Sequence, residues 1–250
     1  MVPESEKTVE YLRDRLAALR EEVATAARRS GRAPEAVRLV AVTKTHSAAV
    51  LQAAVQAGVR EIGENYLREA EDKFRTLHWP EVGAGAVPVV RHAIGHIQGN
   101  KACLALRWFD VIETVDSLAL AERLNRLAGE SGRTVPVLLQ VNISADSAKF
   151  GFLAEELAGV LPAMANLAHI RVNGLMTIGR FEPDPEAARP DFVALRELRD
   201  RLRGSAPPTV ALHDLSMGMS HDFAVAIEEG ATIVRVGSRL FGPRGPLTET

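Results

Sequence analysis

Leu215-Ser216-Met217-Gly218-Met219-Ser220, followed closely by Val234-Arg235-Val236-Gly237-Ser238, is the stretch on which the reading of this chain turns. Each segment closes a short apolar run, Val210–Leu212 or Ile233–Val236, with glycine and a small hydroxyl residue. Backbone N–H groups exposed where such a turn opens a helix can hold a phosphate. Two such turns, close in sequence, predict one anion site after the last two strands of a (β/α)8 barrel, where a phosphate site recurs.

That reading demands six earlier strand–helix units and a reactive group at a strand end. The apolar runs supply the units. Strands are predicted at Leu39–Lys44, Val59–Asn65, Pro88–Gly95, Phe109–Asp116, Val135–Asn142 and His169–Ile178, then Val210–Leu215 and Ala231–Val236. Helical patterns lie between them: a segment from the Ser47 cap through Ala57 that Gly58 ends, then Tyr66–Arg75, Gln98–Leu106, Leu118–Glu130, Ala154–Ala165, Phe192–Arg203 and Asp222–Glu229. Leu77–Ala86, with Pro80, Gly83 and Gly85, and the acidic, proline-rich Phe181–Pro190 read as loops. Repeated β then α implies a parallel sheet, and eight units favour its closure.

Ahead of the first strand, Leu12, Leu16, Leu19, Val23 and Ala26 recur at three- and four-residue steps and mark an amphipathic helix over Val9–Arg29. The expected organisation is one domain over residues 1–250, with residues 1–35 as a helical extension and 36–244 as the barrel. At 250 residues and 46% hydrophobic content the chain can bury a full core. A formal net charge of −2 gives no general attraction to nucleic acid or an anionic membrane, and Arg28-Arg29 and Arg199–Arg203 read as solvated helix faces.

Cys103 has no partner for an intrachain disulfide and reads as core packing. Met1–Lys7 is charged where a signal peptide needs an apolar core, and no apolar run approaches the roughly 20 residues that span a bilayer. A soluble cytoplasmic protein is expected.

In such a barrel the active residues stand at the C-terminal ends of strands. Lys44, Asn65, Gly95, Asp116, Asn142, Met176, Ser216 and Arg235 fall there. Partial desolvation at a barrel mouth lowers a lysine's pKa and frees its amine to attack an aldehyde. An aldehyde that also carries a phosphate would satisfy both ends of the site, and pyridoxal 5′-phosphate (PLP) is such a molecule. His92 and His96 are four residues apart, but a strand does not present them as a helical zinc pair, so no metal site is expected. His213 and His221, near the two turns, could assist anion binding, but a local structural role is the reading preferred for both.

Several blocks, in order, resemble one family. Ala41-Val42-Thr43-Lys44, Gly63-Glu64-Asn65-Tyr66, His92 to Lys101, Gln140-Val141-Asn142, Gly174-Leu175-Met176, and Leu215–Ser220 with Val234–Gly242 are similar to the pyridoxal phosphate homeostasis proteins of the YggS or PROSC type. The resemblance implies a barrel like the N-terminal domain of alanine racemase (PLP fold type III), and a role for Lys44 as the lysine that holds PLP as an internal aldimine. It further implies that Ser216, Gly237 and Ser238, with the backbone near Met217 and Gly218, surround the phosphate. Arg235 would face the pyridine nitrogen, and Asn65, Ile94 and Gly95 would flank the ring. The chain departs from the family's usual pattern at Arg91, Ala93, Ala148 and Ser238, while Lys149 is retained as a basic residue near the mouth.

The resemblance also supplies the expected role: PLP storage, delivery or buffering in vitamin B6 homeostasis, with PLP-dependent apo-enzymes as acceptors, a monomer rather than an oligomer, and no catalytic residue. Two alternatives stay open at this point, a PLP-dependent amino-acid racemase and a barrel that binds another phosphorylated metabolite. An arginine at the pyridine nitrogen keeps its proton and makes the ring a poorer electron sink, which favours holding over processing. The only tyrosines available as a second acid–base group are Tyr11 and Tyr66.

Overall fold

The computed structural model describes residues 6–79, 87–146, 148–179 and 183–242. Pro80, Gly83 and Gly85 of the expected first loop, Phe181 of the second, and Met1–Ser5 lie outside the described residues.

The leucine spacing at the start of the chain forms α1 (Val9–Arg29), capped by Thr8 Oγ1, which accepts the Tyr11 N–H at 3.2 Å. Leu12, Leu16, Leu19 and Val23 are buried along one stripe, where each leucine contributes about 1.5–3 kcal/mol. That stripe packs across α2 (Ala48–Gln56), α8 (Phe223–Glu228) and α9 (Ser238–Phe241).

Eight parallel strands close into a barrel in sequence order. They are β1 (Arg38–Val42), β2 (Glu61–Glu64), β3 (Val90–Ala93), β4 (Val111–Val115), β5 (Val135–Gln140), β6 (Ile170–Met176), β7 (Asp214–Met219) and β8 (Ile233–Val236). The register Arg38↔Ile233 through Ala41↔Val236 joins β8 back to β1. Outside the strands run α3 (Leu67–Thr76), α4 (Ala102–Trp108), α5 (Leu118–Glu130), α6 (Leu157–Ala165) and α7 (Arg189–Arg203), and the main apolar core lies between strands and helices. A second, small cluster gathers Val40, Leu138, Met176 and Ile233.

The strands' apolar runs fix the layers, and polar caps start the helices. Ser47 Oγ accepts the Val50 N–H ahead of α2, and Ser117 Oγ accepts the Leu120 N–H ahead of α5. The Arg91 guanidinium forks onto Asp110, with two N···O distances of 2.8 Å, and lies 5.6 Å from the Trp79 ring centroid.

Three expectations need correction. β7 begins at Asp214 rather than Val210 and runs through Met219. Leu212 takes φ 46°, which breaks the apolar run, although the Ala211 N–H already bonds Val172 O at 2.9 Å. Asp214 then enters close against Gly174, where a Cβ would stand 2.0 Å from the Asp214 carbonyl oxygen. The helix expected from Phe192 starts earlier, at Arg189, with Pro190 in its first turn, where a missing N–H costs nothing. Cys103 is exposed, because α4 buries Ala102, Ala105 and Leu106 and turns position 103 outward.

Candidate functional site

At the C-terminal ends of the strands lies a cavity of about 520 Å³, a size suited to a small ligand. Val42 and Lys44 reach it from the end of β1, Asn65 from β2, Ile94 from β3 and Ile178 from β6. Met219, Ser220, His221 and Asp222 line it from the end of β7, and Arg235, Gly237 and Ser238 from β8 and the start of α9.

One pole of the cavity is an amine. Lys44 is half-buried in the turn after β1, next to Thr45, whose φ of 66° is the left-handed conformation that a β-branched residue rarely adopts. Another pole gathers backbone amides. The Gly237 N–H donates to Ser220 Oγ at 3.0 Å and ties the ends of β7 and β8 together. Immediately beyond, the first-turn N–H groups of the short α9 have no acceptor within their own helix. A short extra helix after the last strand is the recurrent phosphate position in these barrels.

Between the poles stands Arg235, buried, with one guanidinium nitrogen donating to Thr177 O at 2.8 Å and another to Ser216 Oγ. Ser216 Oγ in turn donates to Glu113 Oε2 at 2.6 Å, and the other oxygen of Glu113 lies 2.7 Å from His92 Nδ1. His92 Nε2 stands 3.1 Å from Glu61 Oε2, an ionic contact whose angle does not make a hydrogen bond. Burial works against a charged His92 ring, but Glu113 and Glu61 outweigh it and lift the pKa to about 9. Burial also pushes the Glu113 carboxyl up, yet His92, Arg235 and Ser216 together hold it below the usual carboxylate range. Burial lowers the Arg235 pKa, with Glu113 and Asp222 opposing the shift. The result is a column of alternating charge, Glu61, His92, Glu113, Arg235, that ends at the cavity.

Six of the sequence-derived site residues line this cavity: Lys44, Asn65, Ile94, Arg235, Gly237 and Ser238. Ser216, Met217 and Gly218 are instead strand residues of β7, because that strand runs four residues further than its apolar run suggested. Ser216 hydrogen-bonds Arg235 from beneath, and Met217 is packed in the core. Gly95 stands behind Asn65: a Cβ there would meet the Asn65 carbonyl oxygen at 2.2 Å, so glycine is what lets the two strand ends converge. Val42, Ile178, Met219, Ser220, His221 and Asp222 also line the cavity and were not among the site residues expected from the sequence. The Ser220 hydroxyl at the end of the opening motif was the available signal.

His92 and His96 diverge, His92 into the buried column and His96 to Asp116 Oδ2 at 2.8 Å, with its ring stacked on Phe150. Among the described residues no cluster of three or more His, Cys, Asp or Glu could hold a metal ion. Neither tyrosine lines the cavity; Tyr66 precedes α3 and is exposed. Lys149 is half-buried and its Nζ lies 3.5 Å from the carbonyl oxygen of Ile178. Among the described residues no helix is long and apolar enough to cross a membrane.

The family described as alanine racemase, N-terminal domain, matches residues 15–245. A pyridoxal phosphate homeostasis protein of Escherichia coli is 38% identical over 229 residues, spanning 92% of this chain and 95% of its own. A protein of the same name from Aquifex aeolicus is 36% identical over 231 residues, spanning 92% and 97%. Among solved structures, PipY of Synechococcus elongatus, with PLP bound, superposes with a TM-score of 0.80 at 38% identity, over 92% of this chain and 100% of that one. Alanine racemase from Clostridium difficile, at 15% identity and a TM-score of 0.69 over 95% of this chain and 61% of that one, shares the fold. By matched length, identity and architecture, the chain belongs to the pyridoxal phosphate homeostasis protein family, built on the alanine racemase N-terminal domain.

Proposed function

We propose that the cavity holds PLP, and that the protein stores, buffers or delivers the cofactor without turning over amino acids efficiently. One observation carries this reading: an amine, a guanidinium and the β8–α9 amide group open onto the same small cavity. Lys44 would hold the aldehyde, Arg235 would meet the pyridine nitrogen, and Ser220, Gly237 and Ser238 would hold the phosphate. Val42, Ile94, Ile178 and Met219 offer apolar walls for a planar ring. Asn65 Oδ1 is buried without a hydrogen-bond partner, and a ligand donor would satisfy it. Gly95, Ser216, Met217 and Gly218 support the site from behind.

When bound, PLP supplies an aldehyde that condenses with a primary amine and releases water. The chain's own groups decide between holding and turnover. Arg235 keeps its charge and donates, so it leaves no proton on the pyridine nitrogen and weakens the ring as an electron sink. Asp222 Oδ1 is occupied by the Met219 N–H at 2.6 Å, and His221 Nε2 bonds the Pro183 carbonyl at 2.8 Å. These engagements favour holding over proton transfer. PLP-dependent apo-enzymes in the cytoplasm are the acceptors this role calls for, and a monomer suffices for it.

The test is to add PLP to the purified protein, record the visible band of the conjugated C=N group, and then offer D- and L-amino acids. A band with negligible racemisation is expected. Sustained racemisation would overturn the carrier role, and absence of any band would overturn the cofactor assignment.

A further inference from the structure

Lys73 of α3 is buried and is not among the residues that line the cavity. Its Nζ donates to the Thr43 carbonyl at 2.9 Å and to Glu69 Oε1 at 2.7 Å, and pairs with the Glu64 carboxylate. Glu69 Oε1 also accepts the Thr45 N–H at 2.6 Å, and Thr43 Oγ1 donates to Glu64 Oε1 at 2.7 Å. One ammonium thus holds the backbone on both sides of Lys44, directly at 43 and through Glu69 at 45. Glu69 and Lys73 share a helix face at i,i+4, which lets one turn of α3 present both groups.

A buried ammonium is costly, and an apolar side chain of similar volume would serve packing at least as well. The contacts of Lys73 converge on a turn whose Thr45 is left-handed, a conformation that persists only where its surroundings over-determine it. We propose that Lys73 is a positioning residue whose ammonium clamps the Thr43–Thr45 turn and so sets where Lys44 Nζ stands in the cavity. This role rests on the assignment of the cavity to PLP. Misplacing a reacting group by about 1 Å can cost on the order of a hundredfold, so the clamp bears on condensation and leaves the phosphate and ring contacts alone.

The experiment compares wild type, Lys73→Met and Glu69→Ala as full chains with two ligands: PLP, and pyridoxine 5′-phosphate, which keeps ring and phosphate but has an alcohol in place of the aldehyde. Lys73→Met is expected to lower the equilibrium constant for C=N formation about tenfold or more while affinity for pyridoxine 5′-phosphate is unchanged. Glu69→Ala, which leaves the Lys73–Glu64 pair intact, gives a smaller loss in the same direction and carries the test if Lys73→Met does not fold. Equal losses for both ligands, or no loss for either, would overturn the clamp. A wild type that binds pyridoxine 5′-phosphate yet forms no C=N band with PLP overturns the cofactor chemistry itself; a normal wild-type band with unaltered variants overturns the clamp alone.

Discussion

Arg235 and Lys44 face the same cavity from opposite kinds of support. Arg235 is buried on a strand, bonded to Thr177 O and Ser216, with Glu113 and His92 stacked in charge beneath it. Lys44 sits half-buried in a turn beside a left-handed threonine, and its brace acts on the neighbouring backbone. On the proposed assignment, the contrast separates recognition from reaction. A donor that must stay charged and stationary is embedded in a network where its removal would strand other charges. An amine proposed to form and release a bond stands instead in a turn held through its backbone, by Lys73 at Thr43 and by Glu69 at Thr45.

Breaking the embedded side should cost most. His92→Phe leaves Glu113 buried with its main counter-charge gone, and urea denaturation should show a loss of about 3–5 kcal/mol. A loss below about 1 kcal/mol would mean that the column carries little charge. The same residue gives the column a pH signature. Because the folded pKa of His92, about 9, lies above its ordinary value of 6.5, its stabilisation is complete below 6.5 and is lost as pH rises through about 9. Wild-type stability should therefore fall across that window while His92→Phe lacks this component; parallel profiles would contradict the assignment.

The exposed side should respond more gently. Thr45→Gly relieves the left-handed strain and should raise stability by about 0.5–1 kcal/mol in thermal unfolding, while the looser turn weakens C=N formation at Lys44. A glycine variant that condenses as well as wild type would show that backbone stiffness at the turn is irrelevant.

Much of this comparison was legible in the sequence, and its limits are physical. Leu118–Glu130 and Val9–Arg29 emerge as read, because a serine or threonine cap and a leucine period determine them locally. Lys44 and Arg235 were expected at the barrel mouth from their place at strand ends, and both line the cavity. β7 was misplaced because Gly218 and two serines resemble a turn, and nothing local marks the left-handed Leu212. The charge column was invisible for a different reason: Glu113 and Ser216 meet across 103 residues of sequence, and a glutamate or histidine inside an apolar strand carries no tag for its partner. Lys73 is likewise one charge among many on α3 until the turn behind it is seen.

The most direct test of the central claim is to load the protein with PLP, reduce it with borohydride and map the modified peptide by mass spectrometry. One pyridoxyl group on Lys44, absent from Lys44→Ala, is the predicted result. Labelling confined to another lysine, or labelling that persists undiminished in Lys44→Ala, would contradict the account.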